Sequence, residues 1–138
     1  MVASAKRYPL LTAQQEVLYS RQIREWLDTE QPTRLQVRRG QRAKERMMQS
    51  NLLLVAALAQ KFRPRIAGTS LDCEDLFQAG AVGLNRAAEK FDYAKGYKFS
   101  TYGYWWITQG IQKEIERHRS TIRTGHEAQT IARRWRYK

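Results

Sequence analysis

Apolar residues recur along this chain at helical spacing. Thr12 can cap a first helix whose third residue, Gln15, closes a capping box, and Tyr19, Ile23, Trp26 and Leu27 then fall on one face. Gln31-Pro32-Thr33 ends it. A second helix, better formed after Gly40, carries Met48, Leu52, Val55, Ala59 and Phe62 at alternating spacings of four and three, and Pro64, Gly68 and Thr69 break it. The third runs from about Asp72 to Phe91 with Phe77, Gly80, Leu84, Ala88 and Phe91 along one seam. Gly80 and Gly83 inside it cost about 1 kcal/mol each relative to Ala unless a neighbouring backbone must come close. Residues 92–96 form a turn, Ser100 or Thr101 caps a fourth helix to roughly Ser120, and a basic tail follows from Thr121. With no strand-like alternation, repeat or low-complexity segment, the pattern predicts an all-α chain: a compact helical bundle of about four main helices plus a basic tail.

The fourth helix is unusual on the side away from its core stripe. At 100° per residue, Ile107, Ile111 and Ile115 mark the core-facing side, and the opposite side should be polar. Tyr102, Trp105, Trp106, Gln109, Gln112 and Lys113 cluster there instead, with Tyr97 and Phe99 just upstream. Rings beside Lys95, Lys98 and Lys113 suit single-stranded nucleic acid, because cations neutralise phosphates and flat side chains stack unpaired bases for about 1–3 kcal/mol each. An amide such as that of Gln109 can read a base edge. The alternative is a helix buried on both sides, its tryptophans in the core.

Charge points the same way. The 138 residues include 25 Lys and Arg against 13 Asp and Glu, a net charge of +12. A polyanionic partner follows, nucleic acid before an anionic membrane, with a well-solvated surface as the alternative. The stretch Arg34 to Arg46 holds six basic residues and fits a solvated or phosphate-facing helix side better than a base reader. Cys73 is the lone cysteine; it offers no disulfide framework or thiolate cluster, fits a small buried apolar residue, and suits a reducing cytoplasm. His118 and His126 lack cysteine partners at ligand spacing. No catalytic residue, metal site or cofactor is expected, and no membrane segment.

Three runs carry a family resemblance: Asn51-Leu52-Leu53-Leu54-Val55, then 75–84 (DLFQAGAVGL), then 88–93 (AEKFDY) with 96–102 (GYKFSTY) and Trp105-Trp106-Ile107. In that order they resemble conserved region two of the primary-like sigma-seventy family of bacterial RNA polymerase sigma factors, from about Leu10 to Arg123. Residues 40–47 and 9–12 look most like cyanobacterial members or a phage from that background. The implied domains are a region-two-like unit over 1–123, with a truncated region-one segment at about 10–50, and a C-terminal tail over 124–138.

The resemblance implies a subunit that recognises and melts the promoter minus-ten element by capturing flipped non-template bases. The match of Tyr102 stacks on the flipped adenine, and the matches of Tyr97, Lys98, Phe99, Thr101, Trp105 and Trp106 wall that pocket or prop the upstream duplex edge. Ser100 belongs to the same DNA-binding set. The match of Gln109 contacts the first base pair of the element, and that of Asn51 helps hold a second flipped base. Gln112 replaces a smaller hydroxyl residue, so preference at the upstream edge is expected to differ.

The resemblance also implies that the third helix binds a coiled coil of the polymerase's largest subunit, through Asp72, Asp75, Gln78, Ala79, Ala81 and Asn85. Ala79 and Ala81 stand where polar or acidic residues are usual, Asn85 where methionine is common and Thr108 where arginine is, so polymerase affinity is expected to be altered. For the acidic start of that helix, complementing the helix dipole is an equal reading. Four extra residues near Ile66 to Thr69 lengthen the preceding loop. The chain starts after the helix that relatives set against discriminator DNA and stops where their next domain begins. It is therefore expected to be an excised fragment or a minimal sigma needing another protein for minus-thirty-five contacts. The expected partners are polymerase core and promoter DNA, with an anti-sigma factor or another regulator as a further candidate. A sigma-like protein that occupies polymerase without initiating, and a nonspecific single-strand binder, are the competing readings.

Overall fold

The structure, a computed structural model, describes residues 10–122. The tail over 124–138 and its residues Trp135, Tyr137 and His126 lie outside the described residues. Five α-helices are joined by short loops and two 3-10 turns, and there is no strand among the described residues. Helix α1 spans Ala13–Asp28, α2 Arg34–Gln49, α3 Leu52–Phe62, α4 Cys73–Lys90 and α5 Phe99–Ile122.

Helix α1 begins as its sequence dictates: the Thr12 hydroxyl accepts from the Gln15 N–H and the Gln15 side chain accepts from the Thr12 N–H. Ile23 is fully buried, whereas Leu27 is exposed, so the apolar face is narrower than the spacing implied. Thr33 and Gln36 repeat the capping box for α2. That helix starts six residues before Gly40. Gly40 marks its contact with α1, where a Cβ would stand 2.5 Å from Trp26 Cβ. Lys44 Nζ then sits 5.2 Å from the centre of the Trp26 ring and 3.2 Å from Glu89 Oε1 on α4.

The single helix expected from Gly40 to Phe62 is two helices. Ser50 Oγ and Asn51 Nδ2 both donate to the Met47 carbonyl at 2.9 Å, and the Asn51 N–H turns back to Met48. Two short polar side chains thus occupy a carbonyl that the next helical turn would have used. The Asn51 carbonyl then starts α3 by accepting from Leu54 and Val55. The loop before α4 is partly core, because Ile66 is buried and Thr69 Oγ1 donates to its carbonyl at 2.6 Å. Ser70 Oγ and His118 Nε2, 2.9 Å apart, tie that loop to α5.

Helices α4 and α5 form the centre. The α4 seam is wider than expected, adding Leu76, Gly83 and Ala87 to the seam residues, and it meets the buried stripe Ile107, Ile111 and Ile115. Their backbones nearly touch: a Cβ on Gly83 would run into the Trp106 carbonyl oxygen, and one on Gly110 would come within 2.6 Å of the Ala79 carbonyl oxygen. The helical cost of Gly83 is therefore offset by close packing. A Gly83→Ala change should destabilise the protein by about 1–3 kcal/mol, since the steric cost exceeds the gain in helix propensity. Gly103→Ala, whose Cβ would meet only the Leu84 Cδ1 methyl at 3.2 Å, should lie within about 1 kcal/mol of the parent. Thermal unfolding of the pair checks this; equal melting temperatures would contradict the close-approach argument.

Candidate nucleic-acid interface

The site is a chain of rings that runs from the core to the surface at the start of α5. Phe91 and Phe99 are buried and meet edge to face with centroids 5.3 Å apart. On Phe91 rest Tyr97, at 6.1 Å, and Tyr102, at 5.7 Å. Tyr97 and Tyr102 lie nearly parallel, 5.9 Å apart at 29°. Tyr102 continues to Trp106 at 6.2 Å, and Trp106 meets Trp105 edge to face at 5.2 Å. Trp105 is 56% exposed and Tyr97 39%, while Tyr102 and Trp106 are half-buried. The two-sided burial that periodicity left open is thus not what the structure shows: the face opposite Ile107, Ile111 and Ile115 carries accessible rings.

Local sequence explains the arrangement. Asp92 caps the 3-10 turn Tyr93–Lys95, and Gly96 ends it at φ 83°, a conformation that other residues avoid. This turn reverses the chain so that Tyr97 lies beside Tyr102. Helix α5 starts at Phe99, so Ser100 and Thr101, expected as caps, sit inside its first turn. The Lys98 carbonyl accepts from Thr101 and Tyr102, and Glu16 Oε2 on α1 accepts from the Phe99 N–H at 3.2 Å.

A groove of about 460 Å³ between α4 and α5 extends the ring surface. Trp105, Trp106, Gln109 and Lys113 line one wall, and Ala79, Val82 and Arg86 the other. Arg117 closes one end, paired with Glu114 at 2.6 Å. Lys90 Nζ stands 5.5 Å from the Trp106 ring centre. Sequence reasoning missed Val82, Arg86, Lys90 and Arg117. Positions 79, 82, 83 and 86 share one helical face, a spacing that could have flagged the first two.

Two of the expected DNA-binding residues are buried in the fold. Phe99 is fully buried against Phe91, where it supports the rings around it. Asn51 is 5% exposed, and its side-chain amide is committed to Met47 and Ser50, so it serves the α2–α3 junction. Lys98, Thr101 and Lys113 are exposed, while Ser100, Gln109 and Gln112 are half-buried.

The second expected surface lies on α4. Asp72 and Asp75 form a reciprocal capping box with both bonds at 2.9 Å, so the helix-terminus reading holds for one oxygen of each carboxylate. Gln78 is exposed and donates to Glu74, and Ala79, Ala81 and Asn85 are half-buried. Cys73, in the first turn of α4, is half-buried rather than buried. Among the described residues no group of three or more His, Cys, Asp or Glu is placed to hold a metal, and no helix is long and apolar enough to cross a membrane.

Residues 47–121 match the family model for Sigma-70 region 2, and residues 4–29 match that for Sigma-70 factor, region 1.2. The chain is 43% identical over 141 residues to RNA polymerase sigma factor SigA4 of Synechococcus elongatus, covering 96% of this chain and 44% of that one. Against RNA polymerase sigma factor SigA of Microcystis aeruginosa it is 53% identical over 95 residues, 68% of this chain and 22% of that one. Against the RNA polymerase sigma-B factor of Nostoc it is 39% identical over 144 residues, 85% and 42%. This chain thus spans less than half the length of these relatives. A region 2 match over more than half of its residues, on an all-helical bundle with an exposed ring face, places the chain in the sigma-70 family of RNA polymerase sigma factors.

Proposed function

We propose that this chain recognises and opens the promoter minus-ten element by binding the unpaired non-template strand on the Tyr97–Tyr102–Trp106–Trp105 surface, while α4 docks on the core RNA polymerase. The supporting observation is the run of accessible rings on the side of α5 opposite its core stripe. Extruding a base from duplex costs a few kcal/mol of stacking, which an aromatic platform can return. A surface that binds the extruded base better than the stacked one shifts the equilibrium towards open DNA by that difference in affinity. Melting is then differential binding, with no bond made or broken by the protein.

Charge distributes the work further. Lys95, Lys98 and Lys113 form no ion pair with a described residue, and neither does Arg86. They are available to phosphates, which position the strand without reading it. Gln109, in the groove wall, has an amide suited to a base edge. On the α4 side, the acidic first turn with Glu74 and Asp75 suits a basic partner surface. A cytoplasmic site of action follows from this role.

Binding to a fluorescent single strand carrying a minus-ten sequence tests the reading. Tyr102→Ala and Trp105→Ala should each weaken it about 5- to 150-fold, the worth of one stacked base. Affinity indifferent to both substitutions and to scrambling of the bases would defeat the proposal, and would leave a nonspecific strand binder. Lys113→Ala should instead weaken matched and scrambled strands alike and lower the salt slope by about 0.7, the signature of one lost phosphate contact. A change in sequence preference with an unchanged salt slope would assign Lys113 to base reading.

A further inference from the structure

The ring surface is built on a segment that α1 holds at three points. At the start of the segment, Ser20 Oγ donates to the Phe91 carbonyl at 3.4 Å. In its middle, the Arg21 guanidinium lies 5.7 Å from the centre of the Tyr93 ring. At its end, Glu16 Oε2 accepts from the Phe99 N–H at 3.2 Å, across 83 positions of sequence. Helix α5 has no such acceptor of its own, because Lys98 precedes it and an ammonium only donates. Ser100 and Thr101 lie too far into the helix to cap it. Glu16 also places a carboxylate at the positive end of a 24-residue helix.

We infer that Glu16 and Ser20 are positioning residues for strand capture: they clamp residues 91–99 so that Tyr97 and Tyr102 stand stacked before any base arrives. This rests on the function proposed above, and it adds to that reading which residues prepare the surface. Without the clamp, the first turn of α5 frays and the binding-competent arrangement becomes a fraction of the population. Apparent affinity then falls by that fraction, although no residue touching the strand has changed.

The test uses the whole chain with Glu16→Ala, Glu16→Gln and Ser20→Ala. Glutamine keeps an oxygen able to accept from the Phe99 N–H, so it should restore most of what alanine loses. Glu16→Ala should bind the minus-ten strand about three- to tenfold more weakly and reduce the near-UV circular dichroism of the ring cluster. Ser20→Ala should do the same to a smaller extent, and it serves as the reporter should Glu16→Ala fail to fold. Unchanged near-UV signal and affinity in folded Glu16→Ala and Ser20→Ala would overturn the inference, as would Glu16→Gln behaving like Glu16→Ala. Failure of the parent reading is distinguishable: the unmodified protein would then show no preference for the minus-ten strand. The near-UV signal and its rescue by glutamine would still judge the clamp.

Discussion

Everything in this fold depends on how closely α4 and α5 approach. At Gly83 and Gly110 each helix backbone packs against a carbonyl of the other, leaving no room for a side chain between them. That contact directs Ile107, Ile111 and Ile115 inward against the α4 seam. With the rotation of α5 so fixed, the far side of the helix is left partly open to solvent. Trp105 is displayed there, while Tyr102 and Trp106 lean one side on the edge of the core and leave the other accessible.

Display alone does not make a binding surface, since free tryptophans would fold over their neighbours. Here each ring has a support: Tyr97 and Tyr102 rest on buried Phe91, which rests on buried Phe99, and Trp106 packs against Tyr102 under Lys90. Rings held in this way would lose little freedom to a base landing on them, and the proposed capture would carry a low ordering cost. Lys95, Lys98 and Lys113, which pair with no described acidic residue, stand around the rings, and Glu74 and Asp75 lie in the first turn of α4. One small bundle thereby offers a cationic aromatic face and an acidic helix start.

Much of this was legible in the sequence because the signals are local. The Thr12 capping box, the acidic start of α4, the isoleucine stripe of α5 and the need for a close neighbour at Gly83 all follow from residues within one or two turns. Other features were hidden for physical reasons. The break at Ser50–Asn51 left no trace in the apolar pattern, since Met48 and Leu52 keep helical spacing across it while two side chains interrupt the backbone ladder. Gly40 looked like a weak helix start, and only the packed helix shows Trp26 lying against it. The same holds for buried Phe99, whose N–H is held from α1 by Glu16. The acceptor for α5 sits 83 residues away on α1, where no local pattern could reveal it.

The central claim is that a base leaves its stack and settles on Tyr102. Its most direct measurement replaces bases one at a time along a minus-ten non-template strand with 2-aminopurine, whose emission reports stacking, and titrates in the protein. The account predicts a large emission change at a single adenine position, with neighbouring positions responding weakly. A uniform response at every position, or none at any, would contradict it.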